Sequence, residues 1–169
     1  NLCDKIVIFC YNCGMSLEIV KQYLKSYNLE DKIIELEQSS ATVVLAAEAL
    51  GVIPARIAKS LTFKNDDKCI MIITAGDTKI DNRKFKDFFS IKAKMLTPEE
   101  VIEFTNHEIG GVCPFGINYE QVKVYCDISM KRFETVYPAC GSGNSAIELS
   151  CDKMFEISQS IEWIDVCKY

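Results

Sequence analysis

The feature that most constrains the fold is a pair of apolar segments with a short polar turn between them. Segments 60–64 and 69–74 are rich in apolar and β-branched side chains, and Asn65-Asp-Asp-Lys68 lies between them. This pattern predicts two antiparallel strands of a hairpin. Further short strands are predicted at 33–36, 92–96, 122–126, 135–137, 146–149 and 161–166. A hairpin among strands that are separated by helices indicates a mixed sheet, not a purely parallel one.

Helical patterns alternate with these strands. Ser16 precedes an apolar stripe at helical spacing, formed by Leu17, Val20, Leu24 and Tyr27. Thr42 can cap a second helix that Gly51 ends, and Thr97-Pro-Glu-Glu100 is a typical helix start. Other helices are predicted at 55–59, 81–89 and 152–159. The 169 residues fit one domain, so we expect a single α/β domain of the α+β type.

Composition excludes several classes of protein. The chain is 49% hydrophobic with a net charge of −5, which is typical of a soluble globular protein and gives no bulk attraction to nucleic acid. No apolar run approaches the roughly 18 residues of a membrane span, and segment 1–14 lacks the pattern of a signal peptide. Met15 resembles a natural start. We therefore expect a cytoplasmic protein with an N-terminal extension at 1–14 and its domain at 15–169.

Nine cysteines favour a reducing compartment, because an odd number without signs of secretion does not suggest a disulfide framework. One spacing, Cys10-Tyr-Asn-Cys13 with Cys3 nearby, allows a thiol redox or zinc site. A structural zinc site needs four ligands, usually as two such pairs. This alternative function therefore rests on a single weak motif, and we expect no metal and no cofactor.

The familiar catalytic motifs are missing from the sequence. The only histidine is His107, and there is no Gly-x-Ser-x-Gly elbow, phosphate-binding Walker loop or dinucleotide fingerprint. What remains is Lys59 in an apolar setting and two glycine-rich segments, 109–116 and 140–144. Lys59 either extends its ammonium to solvent or holds an anion at a pocket. The glycine segments are either structural turns or sources of backbone amides that stabilise an oxyanion.

Four segments together resemble one known family over residues 15–167. They are Ile57-Ala-Lys-Ser-Leu-Thr-Phe63, Thr74-Ala-Gly-Asp77, Gly110-Gly-Val-Cys-Pro114-Phe-Gly and Gly141-Ser-Gly-Asn-Ser-Ala-Ile-Glu-Leu149. They are similar, in the same order, to the YbaK / prolyl-tRNA synthetase-associated editing domain family. The resemblance implies a compact, mixed, barrel-like sheet flanked by helices. It also implies hydrolysis of mischarged aminoacyl-tRNA, usually tRNA(Pro) carrying a wrong small amino acid.

The resemblance assigns roles to particular residues. Lys59 would hold the phosphate of the terminal adenosine and orient the ester, and Gly110 and Pro114 match a GxxxP loop whose amides position the aminoacyl carbonyl. Gly141 matches the glycine of a loop that closes the pocket. The expected catalytic residues are Lys59, Gly110 and Gly141. The expected substrate-binding residues are Thr42, His107, Gly111, Val112, Cys113 and Pro114.

Substrate and partners follow from the same resemblance. Relatives that remove cysteine tend to have glycine and aspartate where this chain has Asn144 and Ala146, so alanine and 2-aminobutyrate stand beside cysteine as candidates. The partner would be the acceptor end of a mischarged tRNA, met by a monomer, with prolyl-tRNA synthetase as a candidate second partner. Segment 79–94, with six basic and two acidic residues, offers a local charge of +4 for tRNA. A non-catalytic tRNA- or nucleotide-binding module is the alternative.

Overall fold

Residues 15–169, which the computed structural model describes, form five α-helices and ten short strands around the predicted hairpin. The helices are α1 (15–25), α2 (Val43–Leu50), α3 (Asn82–Phe89), α4 (Pro98–Thr105) and α5 (Cys151–Ile157). The strands are β1 (Ile34–Glu35), β2 (Ile57–Asn65), β3 (Lys68–Ala75), β4 (Lys79–Ile80), β5 (Val122–Asp127), β6 (Thr135–Pro138), β7 (Ser145–Ala146), β8 (Leu149–Ser150), β9 (Trp163–Ile164) and β10 (Cys167–Lys168).

Six strands form the main sheet in the order β8-β6-β2-β3-β5-β9. The hairpin β2/β3 and the pair β6/β8 are antiparallel, whereas β2/β6, β3/β5 and β5/β9 are parallel. The sheet is therefore mixed, and it curls into a half-barrel within one α+β domain. This confirms the predicted fold class.

The core lies on both faces of β3, whose residues from Cys69 to Ala75 are buried. On one face the apolar stripe of α1 packs against the sheet, and Val20 and Leu24 are completely buried. On the other face the ring of Phe85 from α3 packs against Phe63 of β2, with their centroids 4.9 Å apart. Helices therefore pack on both faces of the hairpin, and this packing fixes the position of β2.

The predicted ends of α2 and the predicted start of α4 are confirmed, whereas Ser16, predicted as the cap of α1, lies inside that helix. The Thr42 hydroxyl accepts a hydrogen bond from the Leu45 amide, and Gly51 ends α2 with a left-handed backbone. Thr97 and Glu100 form the two reciprocal hydrogen bonds of a capping box at the start of α4.

Four predicted elements are wrong in their extent. The expected strand 161–166 is reduced to Trp163–Ile164. The expected helix 55–59 is a single 3-10 turn, Pro54–Arg56, because Ile57 and Ala58 already pair with β6 as the first residues of β2. The expected strand 92–96 is reduced to one bridge between Met95 and Phe63. Segment 146–149 forms the ends of two strands, since β7 pairs with β1 and β8 pairs with β6.

The predicted extension 1–14, with Cys3, Cys10 and Cys13, lies outside the described residues. Within residues 15–169 the six cysteines are free thiols, and no three or more His, Cys, Asp or Glu side chains are grouped as metal ligands. In the same part of the chain, each helix is too short or too polar to cross a bilayer.

Candidate active site

A cavity of about 270 Å3 lies beside β2, where part of one edge of this strand has no neighbouring strand. At one end of the edge, β2 pairs with β6 through Ile57 and Ala58. At the other end, the Leu96 amide donates to the Thr62 carbonyl oxygen at 3.1 Å. Among residues 15–169, no strand pairs with the stretch 59–61 on this edge. The gap exists because one neighbour leaves the strand before the next one joins it.

The cavity has a buried floor and an exposed rim. The floor is formed by small or apolar residues with less than a tenth of their surface exposed, namely Ser40, Ala46, Ile57, Ala58, Thr62, Val101, Ser145 and Ala146. Exposed residues form the rim: Ala41, Thr42, Met95 and Ile109. A cavity of this size is smaller than most pockets for drug-sized ligands, so it suits a small group at the end of a larger molecule.

Two glycine-rich segments, here called the rim loops (107–112 and 141–144), are held together over the cavity. The Gly141 amide donates to the Gly111 carbonyl oxygen at 2.9 Å, and the Gly143 amide donates to Oε1 of Glu108 at 2.8 Å. The Ser40 amide in turn donates to the Gly143 carbonyl oxygen at 2.7 Å. These bonds make the rim loops and the chain before α2 one connected unit.

Three residues of the rim loops that line the cavity have amides without a hydrogen-bond acceptor. Within residues 15–169, the amides of Ile109, Gly110 and Val112 donate no hydrogen bond. Gly110 has a φ of +91°, and a Cβ there would lie 2.7 Å from the Cβ of Ala41. Glycine is therefore required for both the backbone conformation and the close approach of the loop. Unpaired amides at such a position can stabilise negative charge on a carbonyl oxygen.

Lys59 is the one charged residue among the described residues that line the cavity. Its ammonium donates to the carbonyl oxygens of Gly76, at 3.3 Å, and of Thr78. Burial lowers the pKa of Lys59, while the nearby Cys167 and Asp77 oppose that shift. The ammonium is thus half-buried at the turn after β3, and its contacts are neutral carbonyls that an anion can replace.

His107 is the first residue of the rim loop 107–112, but its side chain is buried and does not line this cavity. It is completely buried, and its Nδ1 accepts a hydrogen bond of 3.3 Å from the Cys113 amide. Burial lowers the pKa of His107 to about 4, so the ring is neutral at pH 7. His107 also borders a second cavity, of about 390 Å3, which lies between α1 and α4.

The remaining predicted residues divide between the rim and the core. Thr42 lies at the exposed rim, but its hydroxyl is used to cap α2. Gly111 and Gly141 join the rim loops, while Cys113 and Pro114 are buried beneath them. Burial raises the pKa of Cys113 to about 12, so its thiol is protonated and cannot act as a nucleophile at neutral pH. Of the nine predicted residues, the structure brings Thr42, Lys59, Gly110 and Val112 to the cavity.

Sequence reasoning missed two hydroxyl-bearing residues in the cavity. Ser40 and Ser60 line it, and their side-chain oxygens are buried without a hydrogen-bond partner within residues 15–169. Ser60 lies in the segment 57–63 that carries the family resemblance, but nothing in that segment marks its hydroxyl. Ser40 lies two residues before the helix cap Thr42, which is the one signal near it in the sequence.

Comparison with known proteins gives a consistent result. The profile of the aminoacyl-tRNA editing domain matches residues 37–157. The uncharacterized protein YwhH of Bacillus subtilis is 55% identical over 155 residues, which cover 91% of this chain and 98% of YwhH. A proline--tRNA ligase of Geobacillus is 31% identical over 122 residues, or 70% of this chain but only 21% of the ligase. A crystal structure described as that of a proposed trans-editing enzyme for prolyl-tRNA synthetase superimposes with a TM-score of 0.81 at 26% identity, covering 91% of this chain and 98% of that one.

Proposed function

The chain belongs to the aminoacyl-tRNA editing domain family, and we propose that it is a deacylase that hydrolyses the ester of mischarged tRNA(Pro). The observation that carries this proposal is that the amides of Gly110 and Val112 donate no hydrogen bond within residues 15–169, at the cavity that Lys59 also lines. Both amides are part of the segment that matches the family's GxxxP loop.

The proposed reaction needs positioning more than acid–base chemistry. A water oxygen attacks the carbonyl carbon of the ester, the bond from that carbon to the ribose oxygen breaks, and a water proton passes to the ribose oxygen. The amides of Gly110 and Val112 stabilise the oxyanion that forms on the way. An aminoacyl ester is already labile, and its neighbouring ribose hydroxyl can assist, so correct placement supplies much of the rate.

Lys59 is proposed to bind the phosphate of the terminal adenosine and thereby orient the ester. Its ammonium is half-buried, and a charge in such a site interacts more strongly with an anion than one in water. The carbonyl oxygens of Gly76 and Thr78 hold the ammonium before the anion arrives. Gly141 is proposed to keep the pocket closed through its bond to Gly111.

His107, Cys113 and Pro114 are proposed to support the rim loop from behind. The Cys113 amide bonds to the ring of His107, so the stretch that follows Val112 is fixed to the core. Through this contact, His107 acts on the substrate indirectly, as a positioning residue.

The substrate is proposed to carry a small non-cognate amino acid, with alanine, 2-aminobutyrate and cysteine as the candidates from the family resemblance. The cavity of about 270 Å3 has room for such a residue but not for the terminal adenosine as well. The nucleotide would therefore remain at the exposed rim. The protein is proposed to be a cytoplasmic monomer that binds the acceptor end of the tRNA, either alone or together with prolyl-tRNA synthetase.

A basic patch (Arg83, Lys86 and Lys92) is the proposed contact for the tRNA backbone. These three cations surround one shallow depression on and after α3. Within residues 15–169, none of them forms a salt bridge, whereas Lys84 in the same segment is paired with Asp165. Three unpaired cations on one surface suit phosphates and make binding sensitive to salt.

One observation favours a second candidate, a non-catalytic tRNA- or nucleotide-binding module. Among the described residues, no carboxylate or histidine lines the cavity, so no general base is in contact with it. A pocket that binds without hydrolysis would have the same composition.

A deacylation panel separates the two candidates. The purified protein is incubated with tRNA(Pro) charged with alanine, serine, cysteine, 2-aminobutyrate or proline, and release is compared with the rate without protein. The deacylase proposal predicts rapid release of at least one small non-cognate amino acid and no acceleration for proline. Binding of tRNA(Pro) with no acceleration for any of them would refute hydrolysis and favour the binding module.

A further inference from the structure

Two hydroxyl groups buried in the cavity bond to no other group of the described fold. Ser40 is only 8% exposed, and its side-chain oxygen and that of Ser60 have no hydrogen-bond partner within residues 15–169. Both residues line the same cavity, Ser40 from the chain before α2 and Ser60 from β2. A buried polar group without a partner is unfavourable, so two of them in one cavity indicate that a ligand supplies the missing bonds.

Two other hydroxyls of the cavity, those of Thr42 and Ser145, show the contrast. The Thr42 oxygen accepts the Leu45 amide at 3.3 Å and caps α2. The Ser145 oxygen accepts a hydrogen bond of 2.6 Å from the hydroxyl of Ser142. The hydroxyls of Thr42 and Ser145 thus bond within the fold, whereas those of Ser40 and Ser60 do not.

The depth of the two serines indicates which part of the substrate reaches them. The side-chain oxygens of Ser40 and Ser60 are buried, whereas the rim beside Ala41 and Ile109 is exposed. Only the amino acid at the end of the tRNA is small enough to enter so far. Around the hydroxyls the floor is apolar, with Ala46, Ile57 and Val101 among its residues, so a short side chain with one polar atom fits it best.

We propose that Ser40 and Ser60 recognise a hydroxyl on the side chain of the aminoacyl group, so that the site prefers serine to alanine and 2-aminobutyrate. This inference rests on the proposed deacylase function and specifies its substrate. A seryl hydroxyl donates one hydrogen bond and accepts others, so it offers both kinds of bond that the two serine hydroxyls lack. A methyl or ethyl group leaves both unpaired, and a thiol forms only weak hydrogen bonds.

The test compares kcat/KM for seryl-tRNA(Pro) and alanyl-tRNA(Pro) with the wild-type protein and the variants Ser40→Ala and Ser60→Ala. Ser26→Ala is the control, because Ser26 is exposed at the end of α1 and its hydroxyl bonds only to the Tyr23 carbonyl. We expect the wild type and the control to prefer serine by about tenfold or more, and each of the other variants to lose most of this preference. In both variants kcat/KM for seryl-tRNA(Pro) should fall by far more than kcat/KM for alanyl-tRNA(Pro).

The possible results are distinguishable. Equal rates on serine and alanine in the wild type, or a preference that neither variant changes, would overturn the inference while leaving the deacylase intact. An equal decrease in kcat/KM for both substrates would indicate that the hydroxyls contact the attacking water and not the side chain of the aminoacyl group, and it would also overturn the inference. Release of no amino acid at all would instead remove the proposed function itself.

Thermal unfolding supplies a readout that does not depend on activity. Because the two hydroxyls bond to nothing in the described fold, Ser40→Ala and Ser60→Ala should unfold at or above the wild-type temperature. A clear decrease in the unfolding temperature of both variants would show that the hydroxyls serve the fold, and it would contradict the inference.

Discussion

The Gly141 amide donates a 2.9 Å hydrogen bond to the carbonyl oxygen of Gly111, and the two residues pack backbone against backbone. A Cβ at Gly111 would lie 2.4 Å from the carbonyl carbon of Gly141, so no larger residue fits without moving a loop. The hydroxyl of Ser16 also bonds to the carbonyl oxygen of Gly141 and ties the pair to α1. The positions of the amides at Gly110 and Val112 therefore depend on a contact that needs glycine.

The first prediction concerns the close approach of Gly110 to Ala41. Gly110→Ala should push the rim loop away from the chain before α2, and a displacement of this kind should lower kcat/KM for deacylation by about a hundredfold. Gly51→Ala is the matched control, since Gly51 also has a positive φ but a Cβ there would meet nothing within 4 Å. The control should lose roughly 1 kcal/mol of stability and keep its activity. Normal activity in Gly110→Ala would mean that its amide does not face the reacting carbonyl.

The second prediction concerns the pH dependence of stability. The pKa of His107 is about 4 in the folded protein, below its ordinary value of 6.5, so the unfolded chain binds a proton more readily. The contribution of His107 to the free energy of unfolding is therefore present above pH 6.5 and is lost as the pH falls toward 4. Between pH 7 and pH 5 the free energy of unfolding should decrease by roughly 2 kcal/mol.

Urea unfolding at pH 7 and pH 5 checks this. The variant His107→Asn keeps an acceptor for the Cys113 amide but cannot take up the proton, so its free energy of unfolding should change less between the two pH values. The comparison uses the pH dependence of each protein and not its absolute stability, because the smaller side chain itself weakens packing. An identical pH dependence in both proteins would show that His107 is not the group that titrates.

The third prediction concerns the basic patch. Reversing Arg83, Lys86 and Lys92 to glutamate should raise KM for charged tRNA and leave kcat nearly unchanged, because the patch is proposed to contact only the tRNA backbone. The slope of log KM against log salt concentration should decrease by about 2 to 3, as expected for the loss of up to three phosphate contacts. The control reverses Lys25, Lys32 and Lys68, which are exposed elsewhere and change the net charge equally. Equal effects of the two triple variants would indicate bulk charge and not a contact.

Local signals in the sequence predicted local structure well. The caps at Thr42 and Thr97 depend on residues within three positions along the chain, and both are confirmed. The hairpin β2/β3 is also confirmed, since its turn and its apolar strands are adjacent in sequence. The family resemblance likewise named Lys59 and Gly110, which the fold brings to one cavity.

Long-range pairing accounts for what the sequence did not predict. The cavity exists because β6 leaves β2 after Ala58 and segment 94–96 joins it only at Thr62, and no pattern near Lys59 encodes that gap. The same gap leaves Ser60 without a neighbouring strand on that side. Ser40 is buried because its amide bonds to Gly143, about a hundred residues away in the chain. An isolated serine in a sequence carries no sign of such a contact.

The central claim is that the cavity beside Lys59 and Gly110 is where the ester is hydrolysed, and single-turnover deacylation by Lys59→Ala tests it most directly. The substrate is tRNA(Pro) carrying the amino acid that the wild type releases fastest. Lys64→Ala is the matched control, because Lys64 lies on the same strand but pairs with Glu100 at 2.5 Å, outside the cavity.

We predict that Lys59→Ala loses about a hundredfold or more of the single-turnover rate, while its unfolding temperature stays near that of the wild type. The control should retain nearly full activity, and its difference from Lys59→Ala would exclude hydrolysis by a contaminating enzyme. A folded Lys59→Ala variant with the wild-type rate would contradict the account, because the ester would then be cleaved without the only charged residue that the structure places at the cavity.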